Sequence, residues 1–164
     1  MFKQKYALFQ DMWKEQYNWD LFRELTGPNS HAFERIRTPL GGTDKEFEDI
    51  LKDLHLVLVE SLNSKQLKMI VSGDTKSTKS ISLLERWLEE LNYPPLALER
   101  DIGFLRTLNE VRSLSSHLRS SDHEQRLCEL GVTEDRIATI DRYFLQSIEM
   151  FNGLQSFFSI TDGS

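Results

Sequence analysis

One cysteine, Cys128, stands among 164 residues, so no internal disulfide can form and the chain suits a reducing compartment. Prolines number only four and glycines eight, which argues against a fibrous or low-complexity chain. No apolar run approaches the roughly 18 residues that a membrane span needs. The opening residues MFKQKYALFQ are broken by Lys3, Gln4 and Lys5 and do not read as a secretory signal. The expectation from these absences is a cytoplasmic protein with no membrane association. Lysine is missing from the whole second half. Residues 83–164 carry eight Arg, no Lys and fourteen acids, whereas residues 1–82 set nine Lys and three Arg against twelve acids. The net charge of −6 therefore sits in the C-terminal half and opposes indiscriminate coating of nucleic acid. Arginine without lysine suits planar, two-pronged contacts to carboxylates or phosphates, with ion pairs between helices as its plainer use.

What is present is helical periodicity. Phe2, Tyr6, Phe9, Trp13 and Tyr17 fall three and four apart, one stripe of a helix, and eight of the seventeen aromatics lie in the first 33 residues. Residues 26–43, with two prolines and three glycines, read as a long connector, a kind of segment that often forms an arm crossing to a partner. Thr43 and Glu46 form a capping box for a helix whose stripe is Phe47, Ile50, Leu51, Leu54, Leu58 and Leu62. LHLVLVE resembles a buried strand, but its apolar positions continue that stripe, so helix is the reading. Further helices are expected over 64–71, about 80–91 and roughly 97–120. A short one opens at Ser121 and Glu124 and ends at Gly131, and a long last one starts at Thr133. The last is expected to pack through Ile137, Ile140, Phe144, Ile148, Phe151 and Leu154. The chain reads as an all-α bundle, with residues 1–43 as an aromatic helix and connector arm and residues 44–164 as the bundle proper.

Several constellations fall short of a known chemistry. Gly73 to Ser80 nearly match a phosphate-binding P-loop, but Thr78 occupies the position of the second glycine and no parallel sheet precedes it. The expectation is a mobile polar turn whose Ser80 caps the next helix. No two of His31, His55, His117 and His123 are four apart, and Glu46, Glu48, Asp49 and Asp53 read as a solvated face, so no metal site is expected. No cofactor is implied. Glu85, Glu89 and Glu90 around Trp87 lack any sign of a buried acid, and Cys128 reads as a small core residue.

The sharpest feature is the segment Asn109 to Arg119. Arg112 and His117 are five residues apart, about 140° around a helix and roughly 7.5 Å along it. They flank a polar face that carries Asn109, Ser113, Ser116 and Ser120. The small serines would let a ligand or a second backbone approach. Against a copy of itself about a two-fold axis, this face would bring Arg and His of both subunits together.

Arg-x4-His late in a helical bundle, followed by a capped short helix and a long final helix, resembles the HEPN superfamily (higher eukaryotes and prokaryotes nucleotide-binding domains) over roughly residues 44–160. The resemblance implies an HEPN-like helical bundle, with an additional N-terminal aromatic helix and long connector, that forms a homodimer with a composite cleft. It implies RNA as a ligand and, in many relatives, metal-independent endoribonuclease activity in toxin–antitoxin or phage-defence systems. An antitoxin or a covalently linked domain would then be a partner. Carried onto this chain, Arg112 and His117 are the motif pair, with Asn109, Ser113, Ser116 and Arg119 as substrate contacts. Ser113 stands where the family often has Asn, Asp or His. The alternative is a non-catalytic dimerisation or protein-interaction module, its serine face used for packing.

Overall fold

A computed structural model describes residues 1–115 and 121–161 of the chain. The helices are α1 (Phe2–Tyr17), α2 (Ala32–Arg35), α3 (Asp44–His55), α4 (Ser64–Ile70), α5 (Ser80–Glu90), α6 (Pro95–Ser115), α7 (Ser121–Glu129) and α8 (Arg136–Thr161). Among the described residues, the only extended pairing is an isolated antiparallel bridge between Phe22 and Leu62. The architecture is an all-α bundle.

The aromatic stripe of α1 is docked on α8. Phe2 stacks on Phe144 at 5.3 Å between ring centroids and Phe9 stacks on Phe151 at 5.3 Å, while Trp13 meets Phe158 edge-on at 4.8 Å. Residue numbers rise together on both helices, so the first and last helices run parallel. Trp87 of α5 closes the end of this ladder, 5.6 Å from Trp13 and 5.4 Å from Phe158. Phe9, Trp13 and Phe22 are fully buried in the same hydrophobic cluster as the later helices. α8 is covered from more than one side, which shifts its buried face from the expected one. Tyr143, Ser147 and Met150 join Ile140, Phe151 and Leu154 in the interior, while Ile137, Phe144 and Ile148 are half-buried. The shift follows from Phe104 of α6, which packs on Tyr143 at 6.1 Å.

The connector is less open than its composition suggests. It folds into a 3₁₀ turn at Gly27–Asn29 and into α2, buries Ala32 and Ile36, and ties Arg35 to Asp53 of α3 at 2.7 and 3.1 Å. Asp53, expected on a solvated face, is buried beneath this pair. LHLVLVE is helical, as its stripe indicates. α3 continues into a π turn, Leu56–Glu60, closed by Ser61 N–H donating to Leu56 O at 3.0 Å. Leu56, Val57, Leu58 and Val59 are all buried, and burial on every side is what gives the segment its strand-like look.

The caps follow the sequence in part. Thr43 Oγ1 accepts from Glu46 N–H at 3.2 Å, but the Glu46 carboxylate turns outward to accept from the N–H groups of Leu40, Gly41 and Gly42 and from Arg37. It thereby gathers the end of the connector. α8 is capped by Asp135 Oδ1 on Ala138 N–H at 3.0 Å, two residues beyond Thr133. α5 begins after Lys79, which supplies no side-chain cap, so Ser80 is its first residue and not its cap.

Inside the bundle, Tyr93 donates to Asp101 Oδ2 at 2.6 Å, and Arg100 holds the same carboxylate through Nε at 2.8 Å. Burial, and after it the Asp101 carboxylate, pushes the Tyr93 hydroxyl well above the usual tyrosine range. Gly153 of α8 passes directly over this group. A Cβ there would lie 2.8 Å from Tyr93 Oη and 2.8 Å from Arg100 Nη2, whereas a Cβ at Gly103 of α6 would meet nothing within 4 Å.

Two predictions follow from these contacts. Gly103→Ala should raise stability by up to about 1 kcal/mol through helix propensity. Gly153→Ala should lower it by about 1–2 kcal/mol, because the Tyr93–Asp101 bond must be displaced and overpacking outweighs the same propensity gain. Urea unfolding of both variants checks the opposite signs. Backbone donors, foremost Gly41 N–H, hold the Glu46 carboxyl below its ordinary value of 4.5. Its contribution to stability is therefore present above that value and is lost as the pH falls through the lowered one. The stability gap between the parent and Glu46→Gln should be widest at neutral pH and close in acid, read from unfolding midpoints across a pH series.

Candidate functional site

α6 carries the candidate residues. Pro95 opens it, where a missing N–H costs nothing, and Ile102, Phe104, Leu105, Leu108 and Val111 bury one face against the core. On its outer side Arg106, Asn109 and Ser113 follow at steps of three and four and are all exposed. Arg112 lies one position off this line and is half-buried in the last turn of the helix. The described part of the predicted constellation, Asn109, Arg112 and Ser113, is thus together on one surface. His117, Ser116 and Arg119 lie outside the described residues.

The arginines divide sharply. Arg35, Arg37, Arg100, Arg106, Arg126 and Arg136 pair with Asp53, Glu46, Asp101, Glu85, Glu110 and Asp44 at 2.6–3.1 Å. Arg23, Arg86 and Arg142 donate to the backbone carbonyls of Glu60, Ser72 and Gly131. Arg112 is the exception, with no hydrogen bond or ion pair to any of the described residues. The negative end of the α6 dipole favours a cation in that turn without using up its donors. The Arg126–Glu110 pair, with Nε to Oε1 at 2.6 Å and Nη2 to Oε2 at 3.0 Å, clamps α7 to α6 just beside it.

One histidine that metal spacing had set aside reaches this surface from below. His55, the last residue of α3, is only 7% exposed, and its Nε2 is hydrogen-bonded with Asn109 Oδ1 at 2.8 Å. Its Nδ1 lies 3.5 Å from Glu60 Oε1 across the π turn. The signal was legible, because Phe47, Leu51 and His55 are spaced by four and place the imidazole on the buried side of α3.

Other candidates resolve into structure. The loop over residues 72–79 wraps around Arg86, whose guanidinium takes the carbonyls of Ser72 and Asp74 and the hydroxyl of Thr78. A P-loop aims N–H groups at an anion. This loop aims carbonyls at a cation, and Gly73, at a φ of 84°, lets the guanidinium sit where a Cβ would be 3.1 Å away. Cys128 is exposed on α7, not a core residue, because Leu127 takes the inward position. Among the described residues, no three His, Cys, Asp or Glu side chains gather closely enough to hold a metal ion. No helix of the described residues is long and apolar enough to cross a membrane.

A scan against models of protein families, a search of curated proteins and a search of solved structures each return no match.

Replacing Arg86 by Met should leave the bundle folded but release the carbonyls that surround it. Hydrogen exchange over residues 72–78 is expected to accelerate at least tenfold while exchange in α6 and α8 stays slow, since loop opening needs only local unfolding.

Proposed function

We propose that this chain is an HEPN-like RNA-binding module that cuts RNA without a metal ion. The observation that carries the reading is Arg112, a half-buried guanidinium with no partner among the described residues, in a chain that engages every other described arginine. A free planar fork at the end of α6 suits a phosphodiester, which offers two oxygens at matching separation. Asn109 and Ser113 stand beside it as hydrogen-bonding neighbours. The order of elements supports the reading too, since the motif helix is followed by short α7 and long α8.

In this mechanism His117 takes the proton of a ribose 2′-hydroxyl, a task for which an imidazole titrating near about 6.5 is suited. The 2′-oxygen then bonds to the adjacent phosphorus and the bond to the 5′-oxygen breaks. The leaving oxygen receives a proton from the imidazolium, and a 2′,3′-cyclic phosphate remains. Arg112 balances the charge that grows on the non-bridging oxygens. Asn109, Ser113, Ser116 and Arg119 hold the strand. A homodimer would set two such pairs in one cleft, with an antitoxin or linked domain covering it.

Purified protein is expected to cleave single-stranded RNA in EDTA and to leave cyclic phosphate ends. His117→Ala should lower the rate about 10²–10⁴-fold and Arg112→Ala about 10²–10³-fold, with unchanged circular dichroism. Equal cleavage by His117→Ala would overturn the assignment, and absence of cleavage by the parent chain would leave the non-catalytic module.

A further inference from the structure

Between the first turn of α5 and the middle of α6 lies a depression of about 220 Å³ whose polar side chains are Lys79, Ser80, Ser82, Arg106 and Asn109. Each of them can donate, and no carboxylate is among the lining residues. Lys79 is exposed and has no ion-pair partner among the described residues. Arg106 is held from outside the depression by Glu85, with two contacts of 2.8 Å, and its Nη2 lies 3.4 Å from Ser82 Oγ. In a chain of net charge −6 this is a wall of donors with surplus positive charge.

Asn109 decides what the depression accepts, because a carboxamide can present either oxygen or nitrogen. His55 bears on the choice: its Nε2 lies 2.8 Å from Asn109 Oδ1, and an Nε2–H there holds that oxygen and leaves Nδ2 of Asn109 toward the depression. On the other edge of the ring, Glu60 Oε1 of the π turn lies 3.5 Å from Nδ1. A polar side chain more than nine-tenths buried is thus spent on turning one exposed amide. The missing side-chain cap of α5 adds to the donor surplus, since no side chain of Lys79 occupies the first-turn N–H groups.

We propose that this depression is a phosphate subsite for a phosphodiester of RNA, with Lys79 and Asn109 as its ligands and His55 as the residue that positions Asn109. The inference rests on the RNA reading and extends it. Arg106, Asn109 and Arg112 follow one another along α6, and six residues span about 9 Å, so one strand can touch both the subsite and Arg112. Lys79 and the α5 terminus would then hold a phosphate away from the bond that is cut.

The test uses the full chain, with inorganic phosphate and a short oligouridylate as probes, followed by amide NMR and by direct binding. Phosphate should move the signals of Ser80, Ile81 and Ser82 and the side-chain amide of Asn109, and oligouridylate should displace it. Lys79→Gln and Asn109→Asp should each weaken phosphate binding roughly tenfold or more, as loss of a charge-assisted contact does. His55→Leu should weaken it as well, whereas His55→Gln, which keeps a donor for Oδ1, should restore most of the affinity; as Lys79 and Asn109 are exposed, their variants decide the matter even if the His55 variants fail to fold. Unmoved signals at Ser80–Ser82, or Asn109→Asp binding phosphate as the parent does, would overturn the subsite. Phosphate that oligouridylate fails to displace would overturn RNA as its source. RNA cleavage that depends on His117 but is indifferent to Lys79→Gln sinks this inference alone, whereas phosphate binding at α5 with His117→Ala still cutting sinks the nuclease reading alone.

Discussion

Everything in this bundle hangs on the parallel contact between its first and last helices. Phe2, Phe9 and Trp13 meet Phe144, Phe151 and Phe158 in the same order along both helices. Two helices so far apart in sequence can run parallel only if the intervening chain returns to its starting end, and α6 makes the last such return, antiparallel to α8 with Tyr93 and Arg100 at Gly153 and Phe104 at Tyr143. Each aromatic pair adds about 0.5–1.5 kcal/mol beyond the area it buries. The ladder thus ties the chain's two ends into one core and leaves α6 with its back against α8 and its face outward.

Charge is organised by the same closure. With the helices fixed, nearly every described arginine finds a carboxylate or a carbonyl on a neighbouring element, as Arg35 does on Asp53, Arg126 on Glu110 and Arg136 on Asp44. These partly exposed pairs orient elements more than they stabilise them. Against that background stand Arg112, without a partner among the described residues, and the depression lined by Lys79 and Asn109, which α6 shares with the start of α5. The π turn links the two levels, because it buries four apolar residues in a row and also positions Glu60 beside His55.

Much of this was legible along the chain. The stripes of α1 and α3 and the Thr43 cap follow from local spacing, which a helix reads directly. The connector, Asp53 and the rotated face of α8 were not legible. Their burial depends on what packs against them: α2 on α3 for Asp53, and α6 from a second side for Tyr143 and Ser147. The loop at residues 72–79 reads only as a mobile polar turn for the same reason, since nothing local shows that it would wrap around Arg86.

By itself the sequence determined an all-helical chain, the aromatic stripe of its first helix, and the grouping of Asn109, Arg112 and Ser113 on one helical surface, because these depend on spacing alone. Only the tertiary structure decided that α1 runs parallel to α8, that Arg112 has no counterion among the described residues, and that His55 from a distant helix meets the Asn109 amide. Those outcomes depend on contacts between residues tens of positions apart, set by which faces must leave water together, and no local pattern encodes them.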